Sequence, residues 1–77
     1  MIRIIDIVKL CLNCTRYNTI AELKLVKGDD KPLVNLPLTE FLNKYANVIV
    51  EAFRIIYREE NGSYLLIFYA DFERSND

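Results

Sequence analysis

The alternation of apolar and polar positions along the chain predicts two helices and four strands. Apolar residues recur at helical spacing over residues 5–12, where Asp6 is placed to act as N-cap or first-turn acid. Alternation over residues 19–27 predicts a strand, and a turn at residues 28–30 leads into a second strand over residues 32–36. A second helix is expected after Pro37, followed by strands over residues 47–59 and 64–73.

The Asn61-Gly62 dipeptide between the last two strands predicts a hairpin with a two-residue loop, in which Glu60 faces Ser63. One face of this hairpin is then almost entirely apolar and is expected to cover the core. Its residues are Phe53, Ile55, Tyr57, Leu66, Phe68, Ala70 and Phe72. The opposite face is amphipathic. Its predicted pairs are Arg58 with Leu65, Ile56 with Ile67, Arg54 with Tyr69 and Ala52 with Asp71.

These elements predict an α+β fold: a small four-stranded antiparallel sheet with two short helices on one face, in the order α-β-β-α-β-β. Residues 1–73 are expected to form a single domain, and residues 74–77 a frayed tail. A chain of this size buries only about 60% of its unfolded surface, so a stable fold requires a dense core. The stock of Ile, Leu, Val, Tyr and Phe residues is sufficient for one.

Composition argues against an enzyme. The 10 basic and 11 acidic residues leave a net charge of -1, and the chain has no histidine, the residue used most often as general base and as metal ligand. The adjacent acids fall at predicted turns or strand ends, where carboxylates are solvated. They are Asp29 with Asp30, Glu59 with Glu60, and Asp71 with Glu73. We therefore expect no catalytic residue and no cofactor.

Cys11 and Cys14 form a CxxC motif, which is compatible with half of a zinc site or with a redox pair. Zinc normally takes four ligands, so a complete site would require two chains to share a metal, or carboxylate ligands. A redox CxxC lies at a helix N-terminus, whereas this motif follows a predicted helix. We expect the simpler structural arrangement, with Cys11 in the core, Cys14 partly exposed and both thiols reduced.

The apolar stretches are too short or too interrupted to be a signal peptide or a membrane span, which predicts a cytoplasmic protein with no membrane partner. The amphipathic hairpin face has the Arg, Tyr and aliphatic composition of a protein interface. Its candidate residues are Arg54, Arg58, Tyr69, Ile56, Ile67 and Leu65. Three alternatives stay open: a solvated sheet face, a two-fold homodimer, and a basic and aromatic surface that binds nucleic acid.

The segments IIDIVKLC, YNTIAELKL, KGDDKPL and EAFRIIYREENGSYLLIFYADFE resemble small uncharacterised accessory proteins of Gram-positive bacteriophages and prophages. Inhibitors of host defence, including anti-CRISPR proteins, are found among such proteins. The resemblance implies a binding protein that blocks a host enzyme, and it transfers no functional residue. We thus predict a non-enzymatic module of a mobile element that inhibits or modulates a host protein, the alternative being a small nucleic-acid-binding regulator.

Overall fold

The computed structural model describes residues 1–15, 18–28 and 31–70. These described residues form six strands and two α-helices, with a short 3-10 turn after the first helix. In chain order these are β1 (Ile2–Arg3), α1 (Ile4–Leu10), the 3-10 turn (Leu12–Thr15), β2 (Thr19–Leu25), β3 (Val34–Pro37), α2 (Leu38–Tyr45), β4 (Ile49–Val50), β5 (Ala52–Arg58) and β6 (Ser63–Ala70). The predicted α+β fold with a four-stranded sheet and two helices is confirmed.

The main sheet has the strand order β3-β2-β6-β5. Its outer pairs are antiparallel, but the central strands β2 and β6 run parallel, with Ala21 opposite Leu66 and Leu23 opposite Phe68. The prediction of a fully antiparallel sheet was therefore wrong. β6 is apolar on both faces, and such a strand belongs in the middle of a sheet. Because its hairpin partner β5 takes one side of it, the other side pairs with β2.

Both helices pack on the same face of the sheet and close one core with it. Phe41 of α2 is fully buried, and its ring lies 5.6 Å from that of Phe68 and 5.3 Å from that of Tyr45, centroid to centroid. The buried residues of this core are Ile4, Ile7, Val8, Cys14, Ala21, Leu23, Leu38, Phe41, Val50, Leu66, Phe68 and Ala70. The predicted placement of the helices on one face is thus confirmed.

Helix α1 begins at Ile4, one residue before its predicted start, and Asp6 stabilises that beginning. The backbone N–H of Arg3 donates to a carboxylate oxygen of Asp6 at 3.2 Å, and the guanidinium of Arg3 forms an ion pair with the same group. This backbone hydrogen bond, together with the Arg3 side chain, lowers the pKa of Asp6 below its ordinary value. Asp6 is therefore a first-turn acid, one of the two roles that the sequence allowed.

The strand predicted over residues 47–59 is divided into β4 and β5 by a bend at Glu51. β4 leaves the main sheet and pairs with β1, so that Ile2 lies opposite Val50 and Arg3 opposite Ile49. The sequence analysis missed β1, because two residues in front of a helix carry no alternation signal.

The last hairpin has a four-residue turn, residues 59–62, in place of the predicted two-residue loop. Arg58 lies opposite Ser63, and Gly62 adopts a positive φ of 63°, which glycine accepts without strain. The Ser63 hydroxyl donates to the Asn61 amide oxygen at 2.6 Å within this turn. The predicted pairing is consequently wrong by two residues. An even shift moves no side chain to the other face, so the predicted division into two faces holds.

Several predicted features lie outside the described residues. They are the acids Asp29, Asp30, Asp71 and Glu73, the last three residues of the strand predicted over residues 64–73, and the tail over residues 74–77.

Candidate functional site

The candidate binding surface is the side of the main sheet opposite the helices, which we call the outer face. It carries the alternate residues of the two central strands and of the edge strand β5. These are Ile20, Glu22 and Lys24 on β2, Leu65, Ile67 and Tyr69 on β6, and Arg54, Ile56 and Arg58 on β5. All six candidate residues of the sequence analysis are therefore on one face of two paired strands.

Two rows of side chains across the sheet form the apolar centre of the outer face. Leu65 lies between Ile20 of β2 and Ile56 of β5, so one row is aliphatic across three strands. Leu65 is 7% exposed although neither helix covers this face. Side chains on the neighbouring strands β2 and β5 cover it, as is common for a residue on a central strand.

Ile67 occupies the equivalent position in the next row, between Glu22 of β2 and Arg54 of β5. It is 5% exposed. Long charged side chains commonly lay their methylene stems over apolar neighbours while the charged group stays in water, and the two neighbours of Ile67 are of this type. Leu65 and Ile67 thus form a floor beneath the surface, which leaves them little area for direct contact with a partner.

The β2 side of the outer face is held by polar contacts. The Asn35 amide of β3 donates to a Glu22 carboxylate oxygen at 2.7 Å, and the Lys24 ammonium lies 4.0 Å from the other oxygen. The Glu22 and Lys24 side chains are only 15% and 16% exposed. Their charges largely offset each other, so this side contributes little net charge to the face.

The β5 side of the outer face is open by comparison. Arg54 and Arg58 are exposed, and no described acid forms an ion pair with either guanidinium. Ile56 and Tyr69 beside them are half-buried. The accessible part of the predicted site is therefore two arginines, one isoleucine and one tyrosine.

The true register changes which side chains face each other across the hairpin. Arg54 lies opposite Ile67, Ile56 opposite Leu65 and Arg58 opposite Ser63. The predicted pairing of Arg54 with Tyr69 is wrong, because Tyr69 lies opposite Ala52. Arg54 is consequently set against Ile67 of the buried floor, and Arg58 against Ser63 at the turn end of the hairpin.

The helix side of β5 carries a second exposed surface, which the sequence analysis missed. Phe53, Ile55 and Tyr57 form a row along this strand, and each is between 43% and 53% exposed. We call these three residues the edge row. The apolar hairpin face was predicted to cover the core. That prediction holds for β6 but is wrong for β5, because the buried helix residues pack with β2 and β6 while β5 lies at the sheet edge.

A groove of about 690 Å³ lies between the 3-10 turn, β2 and the start of α2. It is lined by uncharged polar side chains, namely those of Thr15, Asn18, Thr39 and Asn43, and by apolar residues that include Leu38 and Leu42. None of the described residues that line the groove carries a charge.

Cys11 and Cys14 are joined in a disulfide, with their Cα atoms 5.5 Å apart. The expectation of two reduced thiols was wrong, and so was their expected placement: Cys14 is fully buried and Cys11 half-buried. In the 3-10 turn the backbone N–H of Cys14 donates to the Cys11 carbonyl oxygen at 3.1 Å, which keeps the two cysteines within bonding distance. Sulfur atoms bonded to each other are not thiolate ligands for zinc. Among the described residues no group of three or more His, Cys, Asp or Glu side chains is placed to hold a metal.

No protein-family model matches this chain, and neither curated proteins nor solved structures gave a match. None of the described helices is long and apolar enough to cross a membrane.

Proposed function

We propose that this chain is a protein-binding module that attaches to a partner through the β5 side of its outer face. The observation that carries the proposal is a sheet face free of both helices, on which two exposed arginines, neither in an ion pair with a described acid, lie beside a half-buried isoleucine and tyrosine. Arg and Tyr are enriched at the energetic centres of interfaces, whereas Lys, Glu and Asp are depleted there.

The buried floor supports this role. Leu65 and Ile67 are buried beside Ile56 and Arg54, and each lies between neighbours on β2 and β5, so this part of the surface is well packed without a partner. A surface that is ordered before binding loses less conformational entropy when a partner docks. The proposed contact residues are therefore Arg54, Ile56, Arg58 and Tyr69, and the floor acts only through them.

The arrangement of charge defines the kind of partner. Arg54 and Arg58 are four residues apart on one strand, so their Cα atoms are separated by about 13 Å at the usual rise of a β-strand. Ile56 lies between them on the same face. We infer a partner surface with two carboxylate groups at a similar separation on either side of an apolar contact, because carboxylates accept paired hydrogen bonds from guanidinium groups.

The resemblance to phage accessory proteins supports a host protein as that partner and inhibition or modulation of it as the outcome. In this proposal the protein is not an enzyme and acts in the cytoplasm of the host cell. Disulfides such as Cys11–Cys14 are typical of oxidising compartments. A cytoplasmic role therefore requires that the chain also folds with both thiols reduced.

The experiment that tests the proposal is affinity capture from host lysate with three baits: the wild-type chain, Arg54→Ala/Arg58→Ala and the matched control Lys9→Ala/Lys44→Ala. The control removes two exposed cations from the helices. We expect a protein that is retained by the wild type and the control and lost with the arginine variant, and that binds the purified chain directly. Equal retention by all three baits would contradict the proposal.

Nucleic acid is the other outcome that this experiment can give. Arg54 and Arg58 beside Tyr69 combine basic groups with an aromatic ring, as many sheet surfaces that bind single strands do. Capture that is abolished by nuclease, with oligonucleotide affinity that falls steeply as salt is added, would replace the protein partner by a nucleic acid. We favour a protein because Glu22 lies on the same face and the chain carries a net charge of -1.

A further inference from the structure

We propose that a second copy of this chain pairs with the free edge of β5, so that two β5 strands run antiparallel about a two-fold axis at Ile55. β5 ends the strand order of the main sheet, and no described strand pairs with its outer edge. Its seven residues therefore present a row of backbone N–H and C=O groups that can form a ladder with another strand.

The two edges of the main sheet differ in how they are protected. β3, at the other edge, has only four residues and ends in Pro37, which has no N–H to donate. β5 is longer, contains no proline, and has no charged side chain on its helix side. The helix side carries instead the edge row, whose three large apolar residues are about half exposed. The two arginines of β5 lie on the outer face, so its helix side is an exposed apolar row beside an unpaired backbone edge, a combination that favours a strand partner.

Two-fold symmetry restricts the pairing to a few registers. An axis perpendicular to the sheet keeps each residue on its own face, so residues of the edge row pair only with residues of the edge row. Centring the axis on Ile55 pairs it with its own copy and sets Phe53 opposite the partner's Tyr57. All seven residues of β5 are then paired, and the two edge rows join into one apolar strip.

Charge selects the same register. With the axis at Ile55, Arg54 lies opposite the partner's Ile56 and Arg58 opposite the partner's Ala52. Moving the axis to residue 54 sets Arg54 against its own copy, and moving it to residue 56 sets Arg54 against the partner's Arg58. Like charges directly opposite each other destabilise a strand pair, and both shifts also leave two residues of each strand unpaired.

This inference goes beyond the proposed function, because it uses the edge and the helix side of β5 and leaves the outer face uncovered. Pairing would join two four-stranded sheets into one of eight strands. The outer faces of both copies would then lie side by side, with Arg54 and Arg58 present twice on one continuous surface. A partner that binds the outer face would meet a two-fold symmetric site.

The first test is the solution mass of the full chain over a range of concentrations, measured by sedimentation equilibrium. The wild type is expected to change from 9.0 kDa towards twice that mass as concentration rises. Ile55→Lys places two ammonium groups opposite each other at the axis, and we expect it to stay monomeric with an unchanged far-UV spectrum. The control Leu10→Lys changes an exposed apolar residue at the end of α1, and it should dimerise like the wild type.

The second test reads the register and does not depend on the folding of Ile55→Lys. Opposed residues in an antiparallel pair have Cα atoms about 4.5–5.5 Å apart, which a disulfide can span. Under mild oxidation Ile55→Cys should give a dimer cross-linked between the two copies of position 55. Phe53→Cys and Tyr57→Cys should each cross-link weakly alone and efficiently when the two are mixed. Peptide mapping identifies the bonded positions.

Three results would overturn the proposal. They are a wild-type chain of 9.0 kDa at every concentration, a dimer that Ile55→Lys leaves intact, and cross-linking with no preference for position 55. Assemblies larger than a dimer would indicate head-to-tail pairing of edges. If the chain is monomeric and its edge row becomes protected only when a different protein is bound, then the free edge of β5 binds that protein and not a second copy. None of these results bears on the arginine variant of the capture experiment.

Discussion

Arg54 of β5 lies directly opposite Ile67 of β6, and the two side chains have contrasting environments. The arginine is exposed, whereas the isoleucine is 5% exposed on a face that neither helix covers. Ile67 belongs to the buried floor, which stabilises the sheet. Arg54 belongs to the exposed part of the outer face, which is available to a partner. Two substitutions at this one pair should therefore have separate effects.

Ile67→Ala should lower the free energy of unfolding by about 2 kcal/mol or more, because it opens a cavity between the Glu22 and Arg54 stems. Arg54→Ala should lower it by less, about 1 kcal/mol at most, because it removes only the methylene stem on one side of Ile67. Urea denaturation of both variants measures the difference. Equal effects of the two substitutions would mean that Ile67 is not a supporting residue.

Phe41 should dominate the stability of the core, since its ring packs against those of Phe68 and Tyr45 beneath α2. Phe41→Ala is expected to cost about 3–5 kcal/mol, a large part of the stability of a domain of this size. The matched control is Phe53→Ala, which removes the same ring from the half-exposed edge row and should cost about 1 kcal/mol. Thermal unfolding distinguishes the two, and similar midpoints would contradict the described core.

Replacing Cys11 or Cys14 by serine should lower the stability of the fold by different amounts. Cys11→Ser and Cys14→Ser both remove the disulfide, but only the second places a hydroxyl at a fully buried position. Cys14→Ser should therefore be less stable than Cys11→Ser by about 1–3 kcal/mol, the cost of burying a polar group without its hydrogen bonds.

Reduction of the wild type isolates the cross-link itself. The bond closes a loop of only four residues, from Cys11 to Cys14, for which chain entropy predicts about 2 kcal/mol at most. A chain that stays folded in reductant satisfies the requirement of a cytoplasmic role. Complete unfolding on reduction would contradict that location.

Asp6 should make stability depend on pH in acid. Its pKa is lowered in the folded protein by the hydrogen bond from the Arg3 backbone N–H, so its contribution is present above the unfolded value of 3.8. The contribution is lost as the pH falls through the lowered folded pKa. Asp6→Asn should thus melt below the wild type at neutral pH, and the difference should disappear in strong acid. A gap that stays constant between neutral and strongly acidic pH would rule out this role.

Local patterns predicted both helices, the four strands of the main sheet and the division of the hairpin into faces, but not β1 or β4. Because side chains alternate with a period of two, the four-residue turn left Arg54 and Ile56 on their predicted faces although every pair was displaced. The parallel contact of β2 with β6 joins residues more than 40 positions apart, such as Thr19 and Tyr64, and no local pattern encodes it. For the same reason the sequence did not show that the helices leave Phe53 and its neighbours on β5 half exposed.

The chemistry of the cysteines was ambiguous for a different reason. A spacing of three is compatible with thiols, a metal site or a disulfide, and only the turn after α1 brings the Cys11 and Cys14 sulfur atoms together. The candidate residues, by contrast, were found because Arg and Tyr on an uncovered strand face are a compositional signal. The burial of Leu65 and Ile67 could not be predicted from composition, because it depends on their neighbours on β2.

The most direct test of the outer face as a binding surface is the affinity of Arg54→Ala/Tyr69→Ala for the purified partner that the wild type captures. Titration calorimetry should show at least a 30-fold loss of affinity with nearly the wild-type thermal midpoint, since two interface anchors cost about 2 kcal/mol or more. The matched control Lys9→Ala/Lys44→Ala truncates two exposed side chains on the helices and should bind the partner as the wild type does. Unaltered affinity of the outer-face variant would contradict the account.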